Sequence, residues 1–108
     1  MSLAALHQAV LDDGRCLTLL ADRGWAEGGA DDAWQHTSIE EIQATARTVV
    51  GPDEPYGDRT ATDMAADHWG HLAGVLAERG VHIGAWALSR LPHEVVLSDR
   101  VRARLVAR

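Results

Sequence analysis

An all-α fold, a compact bundle of about five helices forming one domain over residues 1–108, is what this sequence predicts, on three observations. Apolar residues recur three and four apart through most of the chain. Several of these periodic stretches sit between a capping residue and a glycine or proline. No segment reads clearly as a strand with another strand to pair with.

Residues 2–13 place Leu3, Leu6 and Val10 on one helical face, with Ser2 able to cap the start and Gly14 interrupting the run. Residues 15–23 continue through Cys16, Leu17, Leu19 and Leu20. Gly24 reads as a left-handed helix stop, with Trp25 folding back on Leu20 and Cys16 within the apolar stripe. One long helix that tolerates Gly14 is the alternative.

The acidic, Gly-containing stretch 26–37 has no periodicity and reads as a surface loop carrying Asp31, Asp32, Trp34 and His36. Ser38 and Glu41 then form a capping box. Ile39, Ile42, Ala46, Val49 and Val50 supply the stripe of the helix that follows, and Gly51-Pro52 ends it. Residues 51–58, with Pro52, Pro55 and Gly57, read as a turn-rich connector that leaves Tyr56 half exposed.

The longest helix begins at Thr60 or Thr62, where Asp63 complements the positive end. Ala65, His68, Trp69, Leu72, Val75 and Leu76 define its apolar face before Gly80 stops it. A short helix over 82–91 centres on Ile83, Trp86 and Leu88, and Pro92 closes it. Trp25, Trp69 and Trp86 all read as core. Residues 99–107 alternate like a strand, yet Leu97, Val101 and Leu105 are spaced for a helix capped by Ser98, and helix is preferred.

The chain has 46% apolar and 24% charged residues, the usage of a folded domain rather than a disordered one. Lys, Asn and Phe are absent and all ten basic side chains are Arg, a bias expected of a GC-rich bacterial genome. The arginines are therefore weak evidence of phosphate binding. A start without basic residues, the lack of any long apolar run and a single Cys16 predict a cytoplasmic protein with neither a membrane span nor a disulfide. Net charge is −6, made of −9 over residues 1–67 and +3 over residues 68–108. That asymmetry suits a match between the halves or a polar surface offered to a partner.

Three constellations are candidates for function. Asp67, His68 and His71 lie three and four apart on one helix, the beginning of a site for a divalent transition metal that still needs further ligands. The plainer reading is a core His68 beside an exposed Asp67/His71 pair. Trp34, together with Asp31, Asp32 and His36 and with Tyr56 in the next turn, forms a candidate partner surface. Residues 76–107 carry a helix, a Gly80-Val81 turn, a second helix through Arg90, and a Ser98-capped helix with Arg100, Arg102 and Arg104. Over these thirty or so residues the pattern resembles the helix-turn-helix headpieces of bacterial repressors, which implies DNA binding. The net negative charge opposes that reading.

No Gly-flanked nucleophile and no phosphate loop is present, so a catalytic role is disfavoured and no cofactor is expected beyond a possible metal. The function these observations favour is a non-enzymatic binding or regulatory module, of inhibitor, immunity-like or accessory type, that offers the acidic loop 26–37 and the turn 51–58 to a protein partner or takes part in self-association.

Overall fold

The computed structural model describes residues 2–26, 34 and 37–106. Their order is β1 (Ser2–Val10), β2 (Cys16–Ala26), α1 (Ile39–Val49), α2 (Ala61–Glu78), α3 (Ala85–Arg90) and α4 (Asp99–Val106). The fold is therefore α+β, an antiparallel two-stranded sheet with four helices among the described residues, and not an all-helical bundle.

The correction falls on the first 26 residues, where the structure has a hairpin in place of two helices. Leu3, Leu6 and Val10 do share a helical spacing, but Leu3, Ala5, His7 and Ala9 share a period of two, and it is this second set that turns inward. Leu6 and Val10 lie on the outer face, 58% and 73% exposed. The strands join through a tight connection in which Gly14 takes φ +88°, closed by the Gly14 N–H donating to the Leu11 carbonyl at 2.9 Å. Asp13 accepts from the backbone and side chain of Arg15 at 3.0 and 2.8 Å, and these hydrogen bonds hold its carboxyl below the ordinary range.

Gly24 is no helix stop. It lies in β2 opposite Ala4, without a positive φ, and a Cβ there would meet the Leu3 carbonyl at 2.6 Å. Close approach of two backbones is thus what calls for glycine at this position. The irregular register near Ala5 and His7 places the extra residues on β2, so β1 keeps unbroken alternation along its length. Cys16, at the start of β2, is exposed rather than part of an apolar stripe.

The helices begin and end where their caps dictate. Ser38 accepts the Glu41 N–H at 3.1 Å, and the Glu41 carboxylate accepts from the Thr37 hydroxyl. Thr60 and Asp63 form a complete capping box, which holds the Asp63 carboxyl below its ordinary range. At the other end of α2, Gly80 adopts φ +83° and the Val81 N–H reaches the Leu76 carbonyl at 2.9 Å, a Schellman closure with Val81 packed on the core. Residues 99–106 are helical, with Ser98 accepting the Val101 N–H. Leu91 is extended, as a residue before proline should be.

Leu19 from the inner face of β2, Leu72 and Leu76 from α2, and Leu88 from α3 form the central buried cluster. Leu17, Leu20, Trp69, Val75, Val81 and Ile83 pack around it. This cluster fastens the hairpin to α2. No helix among the described residues is long and apolar enough to cross a membrane.

Candidate binding surface

The turn between α1 and α2 projects a surface whose shape is fixed from both sides. Two prolines limit its backbone, and Gly57 at φ +60° lets the chain reverse so that the Arg59 N–H donates to the Tyr56 carbonyl at 3.1 Å. On the side facing the hairpin, Arg23 of β2 donates from one Nη1 to the Val49 carbonyl at 3.5 Å and to Asp53 at 3.0 Å. On the side facing α2, Arg59 pairs with Asp67 and donates to the Asp63 carbonyl at 3.4 Å. Each pair is partly solvated and worth under about 1 kcal/mol, so its effect is on geometry more than on stability.

Between these anchors residues 52–58 are all exposed, and Tyr56 stands 67% exposed. Asp53 is matched by Arg23, while Glu54 and Asp58 flank the phenol as exposed carboxylates. The result is an aromatic side chain set among negative charges on a constrained turn.

Against the inner face of β1 lies a group of rings. His7, on the inner face of β1, is 8% exposed, with its centroid 5.1 Å from His93 and 6.2 Å from Trp69. His68 stacks edge-on to Trp69 at 4.8 Å. Neither Nδ1 of His7 nor Nε2 of His68 has a hydrogen-bond partner in the structure. Burial lowers the pKa of His7, reinforced by the neighbouring His93 and His68. Burial also lowers that of His68, with Arg23 adding to the effect. Burial thus favours the neutral form of both imidazoles.

The other sequence-predicted residues are distributed as follows. Asp67 is engaged by Arg59, His68 turns under Trp69, and His71 is exposed. Among the described residues no three His, Cys, Asp or Glu side chains are grouped to hold a metal ion. Arg104 lies over the Trp34 ring at 5.4 Å, so this tryptophan meets the C-terminal helix. Asp31, Asp32 and His36 lie outside the described residues. In the stretch resembling a helix-turn-helix, α3 and α4 are separated by the non-helical segment 91–98, Arg90 lies over Trp86, and Arg100 and Arg102 are exposed on α4.

Trp86 departs from its predicted core position. It is 75% exposed, and Arg90 one turn later covers part of its ring at 5.6 Å. The four-residue spacing of this pair was available in the sequence, as was that of Arg59 with Asp63, while Asp67 lies 8 residues from Arg59. A cleft of about 350 Å³ between α1 and α4 is lined by Ile39, Gln43, Val95, Leu97, Arg102 and Leu105, with neither a histidine nor an acid in its wall.

Comparison with protein-family models, with curated proteins and with solved structures finds no match to this chain.

Proposed function

We propose that this chain is a non-enzymatic binding module, acting in the cytoplasm, that offers the turn 51–58, together with the acidic loop 26–37, to a protein partner with a basic, apolar-centred surface. The observation that carries this reading is Tyr56, held out into solvent from a turn pinned by Arg23 and Arg59. A preset turn loses little conformational freedom on association, and tyrosine is among the residues that most often anchor interfaces. Glu54 and Asp58 supply the charge that steers a basic partner. The exposed Cys16, with no second cysteine to pair with, suits a reducing compartment.

The test is affinity capture by the immobilised chain from lysate of its own cells, wild type against Glu54→Gln/Tyr56→Ala/Asp58→Asn. All three side chains are exposed, so the melting temperature is expected to stay within a degree or so. A protein retained by wild type and reduced about ten-fold or more on the variant is the expected result, corresponding to the loss of one anchor of about 1.4 kcal/mol. Equal retention by both proteins would overturn the reading.

A further inference from the structure

The geometry points to the outer edge of β1 as a self-pairing surface, joining two copies of this chain through antiparallel β1 strands centred on Leu6 into one four-stranded sheet. Among the described residues only β2 pairs with β1, and α1 and α2 pack against β2. Among the described residues, the far edge of β1 is thus left with unpaired backbone N–H and C=O groups.

Edge strands normally carry a charge, a proline or a bulge that discourages pairing. β1 carries none of these over its nine residues, Ser2-Leu-Ala-Ala-Leu-His-Gln-Ala-Val10, and the irregular register has been taken up by β2. In a chain of net charge −6 this is a strip that a second copy can approach without setting like charges opposite one another.

Side-chain size selects the second copy as the occupant. With the two-fold axis at Leu6, Leu3 faces Ala9 of the other copy, His7 faces Ala5, Gln8 faces Ala4 and Val10 faces Ser2. Every larger side chain then opposes a small one, while Leu6, 58% exposed in the single chain, faces its own equivalent. The turn 51–58 takes no part in this pairing, so the dimer stands or falls independently of the partner surface above.

Sedimentation equilibrium of the full chain tests it, comparing wild type with Leu6→Lys, and with Leu6→Cys in a Cys16→Ser background. Wild type is expected to run at twice the 11.7 kDa chain mass. Leu6→Lys, at an exposed position, is expected to keep the wild-type circular dichroism and to dissociate about ten-fold more readily or worse. Oxidised Leu6→Cys should form a covalent dimer, because directly opposed Cβ atoms lie roughly 4.5–5.5 Å apart, near disulfide spacing. A monomeric wild type at the highest attainable concentration, or a dimer as tight in Leu6→Lys as in wild type, would overturn the proposal.

Discussion

Leu72→Ala is expected to lower the unfolding free energy by about 3–5 kcal/mol, measured as a shift in the urea midpoint at unchanged slope. Leu72 is 0% exposed, and its neighbours in the cluster are Leu76 on the same helix, Leu19 from β2 and Leu88 from α3. Removing three heavy carbons there leaves a cavity that the hairpin, α2 and α3 must all move to fill. A two-stranded hairpin is not stable by itself, so the contact of Leu19 with α2 is what keeps β1 and β2 in place. The loss should therefore appear in the strand and helix signals together. A change below about 1 kcal/mol would mean that the hairpin does not share a core with α2.

Acidification should begin to destabilise the protein through two histidines. Burial pushes the pKa of both His7 and His68 below the ordinary 6.5, so the unfolded chain takes up protons on these rings first. Stability is then full above about pH 6.5 and falls as the pH drops from there toward the lowered values. Asp13 and Asp63 are also held low, from an ordinary 3.8, and their stabilisation is lost only in the more acidic range beneath that value. The two windows are separate. His7→Leu should flatten the decline below pH 6.5, and at pH 8 it should be close to neutral or mildly stabilising, since it removes a buried nitrogen without a partner. Thermal melts at pH 8, 6 and 5 on both proteins read this directly. An undiminished decline in His7→Leu would assign the acid sensitivity elsewhere.

The helices were legible because their ends are written locally. Ser38 before Ile39, Thr60 with Asp63, Gly80 before Val81 and Ser98 before Asp99 each mark a boundary that the structure keeps. The hairpin was not, because residues 2–10 satisfy two periods at once and are rich in alanine, a residue depleted from strands. The Asp12-Asp13-Gly14 turn was the signal that should have decided between them.

The candidate surface was legible in part for the same reason. Prolines and glycines around Tyr56 announce an exposed turn, but the ion pair that steadies it joins Arg23 to Asp53, 30 residues apart, and no local pattern reports it. Arg59 and Asp67 stand 8 residues apart with Arg59 ahead of α2, so the spacing of neighbours on one helix does not report them either. Trp86 failed because the apolar spacing of Ile83, Trp86 and Leu88 describes α3 without saying which side faces α2, and Leu88 took the core position.

The central claim, that the pinned turn around Tyr56 meets a protein partner, is tested most directly by photocrosslinking inside the native cells. Benzoylphenylalanine would be placed at Tyr56, at Glu54 and, as exposed positions away from the turn, at Ala77 and His82. The account predicts one adduct of discrete mass at Tyr56 and Glu54 and none at Ala77 or His82; no adduct at Tyr56, or the same adducts at all four positions, would contradict it.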